Sequence, residues 1–159
     1  DICELRPGAD ELVEAIAARA RKHRVAALFV DYGHAGSAPG ETLQAVRAHG
    51  FADPLALPGN ADLTAHVDFA RLGDIAARSA LQVHGPISQA QFLGALGLKE
   101  RCARLMEAAR DKDRQAIASG AMRLVDPAQM GGLFKVMALT SRGLTPPPFA
   151  GFANPEAQI

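Results

Sequence analysis

The chain has 159 residues, 48% of them apolar and 21% charged, and its 17 basic and 17 acidic side chains balance to zero net charge. That is enough length for one domain with a real core. The lack of a basic excess excludes a nucleic-acid binder that works by bulk charge, and no apolar run approaches the roughly 20 residues that cross a bilayer as a helix.

The opening segment, Asp1-Ile-Cys-Glu-Leu-Arg-Pro7, reads as a short strand arriving from upstream and then a turn. A helix follows over residues 9–23, with Asp10 as its cap and Leu12, Val13, Ile16, Ala17 and Ala20 as its apolar stripe. Arg19, Arg21, Lys22, His23 and Arg24 crowd its end, where cations suit the helix dipole. The next stretch is the most informative. Val25-Ala-Ala-Leu-Phe-Val-Asp31 predicts a strand over 25–31, and its uninterrupted apolar run fits burial on both faces, as in parallel sheets. Ligands of open α/β sheets bind beyond the carboxyl ends of such strands. Asp31, Tyr32 and His34 are therefore expected at the rim where chemistry is done.

Residues 32–41 read as a loop with three glycines and a proline, lacking both the Gly-Lys-Ser/Thr ending of a phosphate loop and the dinucleotide glycine spacing. Residues 42–49 lean to strand, and residues 50–67 read as a long connection broken by Pro54 and Pro58. Asp68 caps a helix from Phe69 to about Ser79 with Phe69, Leu72, Ile75 and Ala76 inward. Residues 81–84 form a short strand closed by Gly85-Pro86, and Ser88 caps a helix over Gln89–Leu96 that stops at Gly97. One or two helices span 99–124 with an interruption at Gly120, and Leu105, Met106, Ala109, Ile117, Ala121 and Leu124 read as core. Residues 133–140 give the final strand, and the proline-rich stretch from Pro146 to Pro155 reads as irregular and peripheral. Cys3 and Cys102 have no Cys or His at metal-ligand spacing and read as thiols of a reducing compartment, so no metal site is expected. His66, His84, Gln89 and Phe92 read as packing or surface side chains. Three firm strands are too few for a covered α/β sheet, and with the opening segment this leads to the expectation of missing upstream strands.

Several strings resemble the MidA-like methyltransferase family when taken in order. They are Val30-Asp-Tyr-Gly-His34, Glu41-Thr-Leu-Gln-Ala45, Asp53-Pro-Leu55, Ala61-Asp-Leu-Thr-Ala-His-Val-Asp-Phe69, His84-Gly-Pro86 and Phe134-Lys-Val136. The match covers about residues 3–140. The resemblance implies a class I, Rossmann-like α/β methyltransferase fold with a mostly parallel sheet and an antiparallel last strand. On that template, 25–31 is the fifth strand, 81–84 the sixth and 133–140 the antiparallel seventh. The resemblance also implies S-adenosylmethionine as cofactor, a protein arginine as methyl acceptor, and a link to respiratory complex I assembly through one of its subunits. The family's glycine-rich cofactor loop and acidic ribose-binding residue are expected in an N-terminal half upstream. Residues 1–142 then make the C-terminal half of a methyltransferase domain and 143–159 an irregular tail, inactive by themselves.

Within that resemblance Asp31, Tyr32 and His34 are the catalytic candidates. Asp31 either meets a substrate guanidinium, orients Tyr32, or fixes loop amides. Tyr32 either lines an arginine pocket or packs in the core. His34 is a rim donor or base. Asp62, Thr64 and Asp68 are the substrate-side candidates, beside their use as turn formers and cap. The expected location is a bacterial cytoplasm, or the mitochondrial matrix in a eukaryote, with a homodimer left open. The alternative is a non-catalytic assembly protein on a methyltransferase scaffold. A hydrolase lacks its Gly-x-Ser-x-Gly elbow.

Overall fold

The computed structural model describes residues 4–37, 39–56 and 58–150. Helix α1 spans Pro7–Ala20, and strand β1 follows at Ala26–His34. Three short strands come next, β2 (Gln44–Arg47), β3 (Gly50–Ala52) and β4 (Asp62–Thr64), then β5 (Val67–Asp68) and helix α2 (Phe69–Arg78). Strand β6 (Gln82–Ser88) leads into helices α3 (Gln89–Ala95), α4 (Leu98–Ala108), α5 (Asp111–Val125) and α6 (Met130–Leu133). Strand β7 (Phe134–Thr140) and a single 3-10 turn at Pro147–Phe149 complete the described part.

The main sheet has the order β5-β1-β7-β6. Strand β7 inserts between β1 and β6 and runs antiparallel to both, while β5 lies parallel to β1. Strands β5, β1 and β6 thus share one direction and only the last strand opposes it, as the Rossmann-like expectation requires. The side-chain period of two divides the sheet into faces. Ala27 and Phe29 of β1 and Met137 and Leu139 of β7 pack with Val13 and Ala17 of α1 and Phe69, Leu72, Ile75 and Ala76 of α2. Val136 and Ala138 turn to the other face and meet Ile87, Phe92 and Phe149.

Several expectations are corrected. Strand β1 does not stop at Asp31 but continues to His34, because Tyr32 and Gly33 carry ladder pairs with Phe134 and Val67. It is not buried on both faces, since Leu28 and Val30 are 55% and 46% exposed. Asp10 does not cap α1. Pro7 fills the first helical position, and Asp10 instead receives Arg71 of α2 through two bonds of 3.2 and 2.5 Å. Residues 42–49 contain a strand as expected, β2, but the long connection over 50–67 is not irregular throughout: its β3 and β4 pair with β2 in an antiparallel sheet, β3-β2-β4, whose β2–β3 turn sets Ala48 and His49 at φ of 47° and 64°. Strand β6 passes through Gly85-Pro86 rather than ending there. It lies at the sheet edge, where a bulge between His84 and Ile87 absorbs the missing amide. The helical break falls at Ala109-Arg110, not at Gly120. Neither α4 nor α5 has a buried residue, so the six core positions assigned there are half-buried or, for Leu105, exposed. Phe149 is buried, so the proline-rich tail is not peripheral at that point. Cys102 is a free, half-buried thiol, whereas Cys3 and residues 151–159 lie outside the described residues.

Two caps hold as expected. Asp68 accepts from the Arg71 amide, and Ser88 forms a reciprocal capping box with Gln91.

His84 is buried on the Phe149 side, with Nε2 2.9 Å from Thr140 Oγ1. The Thr140 hydroxyl donates to the Leu144 carbonyl at 3.0 Å, so the imidazole is the donor to Thr140. Burial pushes the His84 pKa below its ordinary value, against a bond to the Leu144 carbonyl that raises it. The neutral ring is the favoured folded form. Its contribution is fully present above the unfolded histidine pKa, about 6.5, and is lost as pH falls through the lower folded pKa. His84→Gln is expected to flatten the acid-side decline of the urea midpoint below about pH 6.5; an unchanged decline would assign it to other groups.

Candidate functional site at the C-terminal end of β1

The alternation of β1 separates the catalytic candidates. Tyr32 and His34 point to one face, and Asp31 and Gly33 to the other. Asp31 is exposed, and its Oδ1 accepts from the Tyr32 amide at 2.8 Å. The Tyr32 ring is half-buried between two edge-on neighbours, His66 at 5.6 Å and Phe134 at 5.5 Å between ring centroids. Phe134 is held there by the β1–β7 register, which sets it directly opposite Tyr32. His34 Nδ1 lies 2.8 Å from the Gly36 carbonyl, so that nitrogen carries the proton.

Asp68 sits beside His34 because β5 pairs with the last residues of β1. Its Oδ1 accepts from the Arg71 amide at 2.9 Å and its Oδ2 from the Ser37 hydroxyl at 2.7 Å. Partial burial pushes its carboxyl up, but these two bonds, with His34 and Arg6 nearby, leave its pKa below the usual value. It is therefore an anion at neutral pH.

Two cavities meet at this rim. The larger, about 630 Å³, is bounded by the 4–10 segment, residues 65–68 and the start of α2. The smaller, about 360 Å³, takes His34, Ser37 and Thr42 into its wall. Glu4, Arg6 and Asp68 line both. Asp62 and Thr64 do not join them. Asp62 is exposed on the small sheet, beside a separate cavity of about 300 Å³, and Thr64 pairs with Gln44. Among the six site candidates, then, His34 and Asp68 share a cavity, Tyr32 is next to them on the strand, and Asp31, Asp62 and Thr64 stand apart.

Sequence reasoning missed Glu4, Arg6, Ser37 and Thr42. Glu4 Oε1 accepts from the amides of Thr42 and Leu43 at 2.7 and 3.1 Å, and its Oε2 accepts from the Thr42 hydroxyl at 2.6 Å and from Arg6. The Thr42 hydroxyl and amide together hold the Glu4 carboxyl below its usual pKa, against a smaller opposing effect of burial. These partners lie 38 and 39 residues apart, with no periodic signature. The one signal available was a lone glutamate just before Pro7.

Asp68→Ala is expected to destabilise the protein by about 1 kcal/mol through loss of the cap. Asp68→Asn, which keeps an acceptor for the Arg71 amide, is expected to lose less. Urea midpoints measure both, and equal losses would show that the carboxylate charge, not the cap, carries the effect.

Among the described residues no group of three His, Cys, Asp or Glu is placed to hold a metal, and no helix is long and apolar enough to cross a membrane. Of the charged groups that line the larger cavity, Glu4 holds Arg6 and Thr42, Asp10 holds Arg71, and Asp68 holds Ser37, and no described residue is assigned to cofactor binding.

The family model for S-adenosyl-L-methionine-dependent methyltransferases matches residues 1–87, more than half of the chain. The chain is 35% identical over 158 residues to the Xenopus tropicalis protein named "Protein arginine methyltransferase NDUFAF7, mitochondrial", covering 97% of this chain and 36% of that one. It is 41% identical over 114 residues to the Drosophila melanogaster homologue of that protein, covering 71% of this chain and 26% of the relative. The chain thus spans about a quarter to just over a third of the length of these relatives. A Burkholderia thailandensis protein, solved with S-adenosyl-homocysteine bound, superposes with a TM-score of 0.75 at 30% identity, covering 92% of this chain and 39% of that one. The order β5-β1-β7-β6 with its antiparallel last strand, the Asp-Tyr-Gly-His end of β1 and the family match agree, and the chain belongs to the MidA-like family of S-adenosylmethionine-dependent methyltransferases.

Proposed function

We propose that the chain is part of a protein-arginine methyltransferase linked to respiratory complex I assembly, with a complex I subunit as methyl acceptor. The observation that carries this reading is the composition of the rim. An aromatic cluster of Tyr32, His66 and Phe134 ends the strand whose neighbour, Asp68, lines both adjoining cavities. Methylating an arginine requires the guanidinium to be held with one nitrogen lone pair facing the methyl group. A carboxylate accepts its N–H groups in a fixed plane, and aromatic rings bound the cation.

In this reading Tyr32 bounds the guanidinium, and His34 and Asp68 meet the substrate side. Asp31 acts through the Tyr32 amide, while Asp62 and Thr64 meet the flanking peptide from the small sheet. S-adenosylmethionine supplies the methyl group, and its main binding groups belong to the remainder of a longer protein. The 159 residues alone then transfer no methyl group. The names of the relatives support arginine as acceptor, and a bacterial cytoplasm is the proposed location.

The test adds full-length protein and S-adenosylmethionine to a lysate from a strain lacking the gene. Methylated arginine is expected to rise in acid hydrolysates. Methyl incorporation confined to other side chains, or none, overturns the arginine assignment. A second reading, a non-catalytic assembly protein, is favoured by one observation: Asp31 and Asp68 already serve backbone amides. A His34→Ala protein that transferred no methyl group yet restored complex I assembly would decide for it.

A further inference from the structure

We propose that Glu4 is a positioning residue for methyl transfer: its carboxylate ties the segment before α1 to Thr42, and through the Thr42 hydroxyl to the His66 amide, holding the His66 ring against Tyr32. The proposal rests on the methyltransferase reading of the rim. Both carboxylate oxygens of Glu4 are used, as are the donor and both lone pairs of the Thr42 hydroxyl. That hydroxyl donates to Glu4 at 2.6 Å and accepts from Arg6 at 3.3 Å and from the His66 amide at 3.0 Å. Neither group is free for substrate, so their role is placement.

His66 is the member of this network that reaches the rim. It lies between the end of β4 at Thr64 and the start of β5 at Val67, so no strand fixes it. Its amide is held by Thr42, while its ring meets the Tyr32 edge at an interplanar angle of 75°. Tyr32 thus has one neighbour, Phe134, set by strand register, and a second, His66, set by the Glu4–Thr42 tie. Loss of the tie frees one wall of the aromatic cluster without touching the strand that carries it. A misplacement of about 1 Å in a positioned group can cost about 100-fold in rate.

The experiment uses the full-length protein with tritiated S-adenosylmethionine and the gene-deleted lysate as acceptor. Glu4→Ala and Thr42→Val are each expected to lower the rate at saturating S-adenosylmethionine on the order of 10–100-fold, with unchanged affinity for S-adenosylmethionine by calorimetry. The double variant is expected to lose no more than either single one, because both cut one network. Thr42→Ser, which keeps the hydroxyl, is expected to retain the wild-type rate. Hydrogen exchange supplies a readout independent of activity: the His66 amide is expected to exchange slowly in the wild type and quickly in Glu4→Ala and Thr42→Val. Unchanged His66 exchange, additive losses, or affinity for S-adenosylmethionine falling in step with the rate would overturn the proposal. A wild-type protein that transfers no methyl group while its His66 amide shows the expected pattern overturns the methyltransferase reading and the positioning role with it. That result is distinct from failure of the tie itself.

Discussion

Gly33→Ala is expected to damage both stability and activity more than any other single methyl addition on β1. A Cβ at this position would sit 2.1 Å from the Val67 carbonyl oxygen and 2.9 Å from the Val67 carbon and nitrogen. The obstacle is backbone, and no side chain can rotate away. Gly33 and Val67 are partners in the parallel β1–β5 ladder, so relief comes only by parting the strands or sliding one of them. Overpacking of this kind costs about 3 kcal/mol, the upper end for an added methyl group. The same displacement moves Asp68 away from His34, since those two are the next pair in the register. A urea midpoint and a methyl-transfer rate on the full-length protein measure the two effects. Gly36→Ala is the control: nothing lies within 4 Å of its added Cβ, and no loss is expected. A Gly33→Ala protein with wild-type midpoint and rate would mean that β5 does not pack against β1 at this point.

Phe69→Ala is the second large effect. Phe69 is fully buried, directly follows the Asp68 cap, and joins the core shared by α1, α2 and the odd-numbered side chains of β7. Truncating a buried phenylalanine costs about 3–5 kcal/mol, part transfer and part cavity. Its position beneath the rim makes the consequence functional too, because α2 carries the Arg71 amide that holds Asp68. The urea midpoint is expected to fall with an unchanged denaturant slope, and Phe69→Leu is expected to lose less. A loss below about 1 kcal/mol would contradict the described packing.

Much of the frame is legible in the residues. Asp68 and Ser88 announce α2 and α3 because side-chain caps are local interactions within three or four residues. The apolar stripe of α2 reads correctly because all four inward positions lie against one core. The end of β1 is harder. Gly33 and His34 carry the composition of a turn, yet Gly33 is required inside the strand by the close approach of Val67. The pairing of β2 with β3 and β4 is hidden for a related reason. A two-residue hairpin turn with both φ positive ordinarily carries Asn-Gly or a similar pair, and here Ala48 and His49 adopt it. The α4–α5 positions mislead because helical periodicity shows which face is apolar, not whether that face is covered. The site splits the same way. That the candidates Tyr32, His34 and Asp68 lie near one rim follows from the strand end and the cap, while Glu4 and Thr42 meet only through tertiary structure.

Binding of the methyl donor is the first requirement of a methyltransferase. Calorimetric titration of the full-length protein with S-adenosylmethionine is the most direct measurement. Saturable binding of one molecule per chain is the predicted result. A flat titration of folded protein would contradict the methyltransferase reading and leave the rim of β1 as the binding surface of an assembly protein.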